Sequence, residues 1–299
     1  MKIKLSARID VGKERDNNED ALLYCPDLSQ QKWTDTAEPA PYEPLGELGS
    51  LLIVADGMGG ANAGEVASSL AIETVKAHFT TQHVQEALKA EDAGIAVLLK
   101  DAIIDADKTI NRHMSTNLET QGMGTTIVIC WVLKDGKAHV AWCGDSRCYV
   151  YNPRTGLRRL TKDHSLVQEM IDRGEITEEE AFNHPDNNII TCGLGYFQAY
   201  PNPDIITCDL KANDTVMLCS DGLCGYSTDD DIRRVFAAEY VETDGCCQKM
   251  LDRALDAGGA DNIAIVMASL IGDEQEKPDI VKSSWSGALL QKLFGSRGN

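Results

Sequence analysis

The chain has 299 residues and a formal net charge of −19, with 47 acidic against 28 basic side chains. Such a negative field opposes nucleic acid and anionic membrane surfaces and is compatible with cations and basic protein partners. At 43% hydrophobic and 25% charged residues, the composition is that of a globular protein with ample material for a core. No apolar run approaches the ~20 residues that a bilayer span requires.

Taken in order, residues 2–11 (KIKLSARIDV) alternate well enough to predict an opening strand. Gly12 to Asn18 reads as a turn, and Glu19-Asp20 lead into a second strand, ALLYC. A turn that holds Arg15 and ends in two carboxylates invites chemistry, although a solvated charged hairpin has the same pattern. Residues 26–49 carry Pro39, Pro41 and Pro44 and read as an inserted surface loop.

The stretch from Ser50 to Gly60 organises the chain. Its apolar run, with β-branched Ile53 and Val54, predicts a buried strand with Asp56 at the tip. Three glycines among the next four residues leave space beside that carboxylate and permit close backbone approach, which suits a bound cation. An ordinary Asp-Gly turn looks the same, so this stretch alone leaves both readings open.

Helical spacing follows over 62–78 and 85–118, where Leu98, Leu99, Ala102, Ile103, Ala106 and Ile110 form a stripe. These predict two helices covering one face of a sheet. Gly122 to Thr126 then opens the strand IVICWVL, Asp135-Gly136 turns it back as KAHVAWC, and Gly144-Asp145-Ser146-Arg147 precedes CYVY. His139, inside a strand pattern, reads as structural. After a short strand at 156–161, residues 163–195 form a helical insertion with helices near 166–172 and 177–182. His164 and His184 fall within it, and a structural role suits both better than catalysis. Strands at 205–210 and 215–219 lead to Ser220-Asp221-Gly222-Leu223, a second strand-Asp-Gly element. Helices near 228–239 and 245–257, the turn Asp261-Asn262 and a last strand, IAIVMASL, complete the order. Residues 272–299 read as a flexible tail. The ten cysteines contain no C-x-x-C pair and the N-terminus has no signal-peptide pattern, so a reduced, cytoplasmic compartment is expected.

Four turns therefore present carboxylates beside small residues: Glu19-Asp20, Asp56-Gly57, Asp221-Gly222 and Asp261-Asn262. If their strands neighbour each other, the carboxylates converge and resist ionising unless cations lie between them. Oxygen-only donors match hard ions such as Mg²⁺ or Mn²⁺. One carboxylate bridging two ions would make a two-metal site with an activated water as nucleophile, and Arg15 would offer a planar fork to a phosphate.

Eight ordered segments carry a family resemblance: RDNNED (15–20), VADGMGG (54–60), GMGTT (122–126), GDSR (144–147), LTKDHS (160–165), NIITCGLG (188–195), SDGL (220–223) and DNIA (261–264). Together they resemble the metal-dependent serine/threonine protein phosphatases, the PPM or type 2C family, in its bacterial form. The resemblance covers about residues 5–270. It implies an α+β fold, a four-layer α-β-β-α sandwich with two central, mainly antiparallel sheets and a helical flap, within a phosphatase domain at 1–271 followed by the tail. It also implies that Asp56 bridges two Mn²⁺ or Mg²⁺ ions, that the Gly57 carbonyl and Glu19 serve as ligands, and that Asp221 and Asp261 hold the first metal. Asp20 would orient water, Arg15 would grip the substrate phosphate, and Asn262 would hydrogen-bond near the metals. Thr125, Thr126, Asp145, Ser146 and Arg147 would be mainly structural.

Two departures from the family pattern matter. Met58 stands where many members carry a proton-donating His, so the leaving group would take its proton from water. Gln121, beside Glu119 and Thr120, stands where the resemblance places an Asp for a third ion, which argues against that ion. The implied reaction is hydrolysis of phosphoserine and phosphothreonine in proteins by a water or hydroxide bridging two ions. A serine/threonine kinase and its targets would be partners in bacterial signalling, and the enzyme would be a monomer. Two rivals stand beside it: a catalytically inert binding module, disfavoured because the core carboxylates are present, and a hydrolase of small phosphate esters.

Overall fold

In the computed structural model, residues 1–36, 41–59, 63–195, 200–239 and 242–272 are described; most of the expected tail therefore lies outside them. The strands are β1 (Lys2–Asp10), β2 (Ala21–Cys25), β3 (Glu43–Pro44), β4 (Ser50–Ala55), β5 (Gly57–Met58), β6 (Gly124–Thr125), β7 (Ile127–Val132), β8 (Lys137–Cys143), β9 (Arg147–Asn152), β10 (Gly156–Arg159), β11 (Leu194–Gly195), β12 (Asp204–Asp209), β13 (Thr215–Cys219) and β14 (Ile263–Ile271). The helices are α1 (Gly64–His78), α2 (Thr81–Lys89), α3 (Glu91–Thr116), α4 (Leu166–Asp172), α5 (Glu178–Phe182), α6 (Asp221–Cys224), α7 (Asp229–Glu239) and α8 (Thr243–Asp256).

Two antiparallel sheets make the centre, in strand orders β10-β9-β13-β14-β1-β3 and β12-β8-β7-β4-β2. Alternation along each strand sorts its side chains between layers. In β4, Leu51 and Ile53 pack with Ala71, Val75, Leu99 and Ile103 of α1 and α3, while Leu52 and Val54 meet Val266 and Ala268 of the other sheet. In β14, Ile263, Ile265 and Met267 face Phe236, Met250 and Ala254 of α7 and α8. Three apolar layers thus separate helix, sheet, sheet and helix. Being buried on both faces, these strands read as unbroken apolar runs. This is the four-layer sandwich that the resemblance implies.

Two local expectations are corrected. The helical stretch 85–118 is two helices preceded by Thr80, whose Oγ1 accepts from the His83 N–H at 3.2 Å. Glu91, at φ +55°, breaks α2 from α3 without any Gly or Pro to mark the place. Nor is 26–49 merely a loop on the surface: Leu28, Leu45 and Leu48 are buried, β3 pairs with the edge of β1, and the Trp131 Nε1 donates to the Leu48 carbonyl at 2.9 Å. Pro39 lies outside the described residues.

Registers put the acidic turns together. Asp10 at the end of β1 lies opposite Ile263 at the start of β14, so the 11–20 turn meets Asp261-Asn262. Strand β13 runs antiparallel to β14 with Cys219 opposite Ile265, delivering Ser220-Asp221 to the same end. In the second sheet Ala21 pairs with Ala55, so Asp20 and Asp56 emerge side by side.

Candidate metal centre

Backbone clamps hold each acidic turn. The Asn262 Oδ1 accepts the Glu19 N–H at 2.8 Å, while its Nδ2 donates to the Val11 and Asn17 carbonyls, both at 2.9 Å. Ser68 of α1 donates to the Glu19 carbonyl at 2.6 Å. The Asp56 carbonyl accepts from the Thr125 hydroxyl at 2.8 Å and the Thr126 N–H at 2.9 Å. Close backbone approach explains the glycines. A Cβ on Gly57 would lie 2.3 Å from the Gly64 carbonyl oxygen, and one on Gly222 would lie 1.9 Å from that of Asn262.

Within this frame the carboxylates crowd one another. The charges of Asp221 and Asp20 both bear on Asp56. Burial, then the charges of Asp221 and Asp20, push the Asp56 carboxyl well above the ordinary carboxylate range. Burial pushes Asp20 up to about 8, although the Ser220 hydroxyl donates to its Oδ2 at 2.6 Å. Asp221 rises to about 6 through burial and the charge of Asp261, and burial with the charge of Glu65 raises Glu19. Like charges at contact distance require protons or cations between them.

The donor set fits hard divalent cations. It is all oxygen, and two buried carboxylate oxygens, Asp145 Oδ1 and Glu65 Oε2, have no hydrogen-bond partner. The acidic donors are dispersed about Asp56. Among the described residues, the group of three His, Cys or acidic side chains with ligand atoms mutually within 4.8 Å lies elsewhere, at Cys143, His164 and Cys192.

Arg15, Glu19, Asp56, Gly57, Met58, Asp145, Asp221 and Asp261 all line one cleft of about 1240 Å³. The Arg15 guanidinium sits at its rim, 53% exposed, and its Nη2 donates to Asp261 Oδ2 at 2.8 Å. The 163–195 segment forms the opposite wall through Ser165, Gln168, Glu178 and Asn188. Arg147, also at the cleft, grips Asp163 at the root of that wall with Nη2–Oδ2 at 2.6 Å and Nε–Oδ1 at 3.0 Å. His164 stacks on Trp142 and accepts the Gly144 N–H at Nδ1 (3.1 Å), and His184 accepts the Asp186 N–H.

Glu19, Asp56, Asp221 and Asp261 meet in this cleft, and Asp20, bonded to Ser220, adds its charge to that of Asp221 on Asp56. Two residues to which sequence reasoning gave no metal role join them: Asp145, whose carboxyl burial and the charge of Asp221 raise well above the ordinary range, and Glu65, whose charge acts on Glu19. Their place in the chain offered a weak signal, since each follows a glycine at a strand or helix boundary. Gln121 is not part of the cluster; its Nε2 donates to the Met114 carbonyl at 2.6 Å.

Enclosed acidic turns at the end of a β-sandwich, with a guanidinium at the rim, define a metal-dependent phosphoester hydrolase site. The sequence profile of the family described as protein phosphatase 2C matches residues 45–256. The serine/threonine phosphatase Stp of Listeria monocytogenes is 33% identical over 217 residues, 73% of this chain and 83% of that one. The structure of Staphylococcus aureus Stp1 superposes with a TM-score of 0.75 at 32% identity, covering 90% of this chain and 95% of that one. The catalytic domain of the phosphatase PstP, solved with two manganese ions, matches at TM-score 0.69 and 28% identity over 91% and 99% of the two chains. The chain belongs to the protein phosphatase 2C family.

Proposed function

We propose that this chain is a metal-dependent protein serine/threonine phosphatase that hydrolyses phosphoserine and phosphothreonine directly, without a phospho-enzyme. The observation that carries this reading is the convergence of Glu19, Asp56, Asp221 and Asp261 on one cleft with the Arg15 guanidinium at its rim. Asp56, Asp221, Asp261, Glu19 and the Gly57 carbonyl would hold two Mn²⁺ or Mg²⁺ ions, with Asp145 offering a donor for a further one. When bound, such ions lower the pKa of water and offset charge on phosphoryl oxygens. Arg15 pairs with the substrate phosphate from the rim. Asp20, anchored by Ser220, orients the attacking water and accepts its proton. Met58 has no proton to give, so the leaving serine oxygen takes one from solvent.

The chain's reach extends to phosphoproteins carried by a serine/threonine kinase and its targets, with the 163–195 flap selecting among them. A reducing, cytoplasmic setting fits ten cysteines that contain no C-x-x-C pair, and no helix among the described residues is long and apolar enough to cross a membrane. A phosphoserine peptide and p-nitrophenyl phosphate assayed with Mn²⁺ or Mg²⁺ test the function. Cation-dependent turnover abolished by EDTA, with higher kcat/KM on the peptide, is expected. Equal preference for small esters would make this a metabolite hydrolase, and no turnover with either cation would make it a binding module.

A further inference from the structure

Outside the acidic cluster, one group of chemically active side chains stands where the 163–195 segment joins the sandwich. Cys143, the last residue of β8, faces Cys192 at the distal end of that segment, with Sγ atoms 2.6 Å apart. His164, at the near end, completes the group. The two ends are already clasped by backbone bonds. The His164 N–H donates to the Gly144 carbonyl at 3.0 Å, the Thr191 N–H to the His164 carbonyl at 2.8 Å, and Ser165 bridges Ile190. Cys143 is buried while Cys192 is half-buried, within reach of a small oxidant.

We propose that Cys143 and Cys192 form a reversible disulfide, an oxidation site that ties the distal end of the 163–195 segment to the end of β8. The Cys143 and His164 side chains beside it favour the ionised form of the Cys192 thiol, against the upward push of burial. The oxidant is a hydroperoxide. The Cys192 thiolate attacks its O–O bond, an S–O bond forms, and the departing oxygen leaves with a proton as water or alcohol. The Cys143 sulfur then attacks the Cys192 sulfenic acid. The S–S bond forms as the S–O bond breaks, and the second oxygen departs as water with the Cys143 proton. A dithiol reductant restores both thiols by exchange. Metal binding fits the group less well: two thiolates on one zinc, at Zn–S of about 2.3 Å, stand ~3.8 Å apart.

The test is peptide mass mapping of the full chain after hydroperoxide treatment and alkylation of remaining thiols. It reads covalent linkage and does not depend on the phosphatase reading. The expected first product is a Cys143–Cys192 disulfide, with the loss of two alkylatable thiols and full recovery on treatment with dithiothreitol. Cys192→Ala should abolish that product, whereas Cys208→Ala, at the other half-buried cysteine, should leave it unchanged. Sulfinic acid at Cys192 without a disulfide, a different pair oxidised first, or stoichiometric zinc protecting these thiols in the reduced chain would each overturn the proposal.

Discussion

Asp20, Asp56 and Asp221 each have the folded carboxyl raised above its ordinary value of 3.8, by burial before all else. For an acid shifted upward, the stabilising contribution is fully present below the unfolded pKa and is lost as pH rises through the folded one. Without cations, stability should therefore fall as pH rises from about 4 through 6, where Asp221 ionises, to about 8, where Asp20 does. Thermal melts in EDTA should show this decline, and Mn²⁺ should reverse it most at the alkaline end. Asp20→Asn keeps an acceptor for the Ser220 hydroxyl but removes the buried charge. In EDTA at pH 8 it should melt higher than wild type by ~3 °C or more, while losing phosphatase activity. Arg15→Ala should raise KM for a phosphopeptide more than it lowers kcat, because Arg15 lies half-exposed at the rim. Asp56 and Asp221 were legible from the sequence as lone carboxylates on strand tips before glycine. Asp145 and Glu65 were not, because what singles them out is an enclosed oxygen lacking a partner, a property of neighbours distant in the chain.

Between elements, the site depends on backbone contacts that admit no side chain. Gly222→Ala would press a Cβ against the Asn262 carbonyl oxygen, 1.9 Å away. Neither backbone can retreat without moving a metal-centre turn, so urea denaturation should show a loss of about 2–3 kcal/mol. Gly245→Ala in α8 is the contrast: its nearest neighbour is the flexible Glu242 side chain at 3.2 Å, and helix propensity should leave it neutral or up to ~1 kcal/mol more stable. Asn262→Ala removes three hydrogen bonds that join the 11–19 turn to the start of β14. It should cost about 3 kcal/mol by urea titration and weaken Mn²⁺ binding roughly tenfold. Most elements were legible from apolar runs and turn residues. The α2–α3 break was hidden because it falls at Glu91, inside a continuous charged pattern. The buried leucines of 26–49 were masked by their Pro-rich surroundings.

Across the molecule, strands far apart in sequence are ordered so that every acidic turn leaves the sandwich at the same end. Composition and periodicity carry no strand order, and without the family resemblance the convergence of residues as distant as Asp20 and Asp261 was only a condition. The antiparallel registers of β1 with β14, β13 with β14 and β2 with β4 turn that condition into geometry. The net charge of −19 is consistent with a surface that attracts cations and basic phosphoprotein segments. A calorimetric titration of metal-free protein with Mn²⁺ tests most directly whether Asp56 is the shared ligand. Wild type should bind at least two ions, and Asp56→Asn should lose both together while remaining folded by circular dichroism. Undiminished Mn²⁺ binding by Asp56→Asn would rule out Asp56 as the shared ligand.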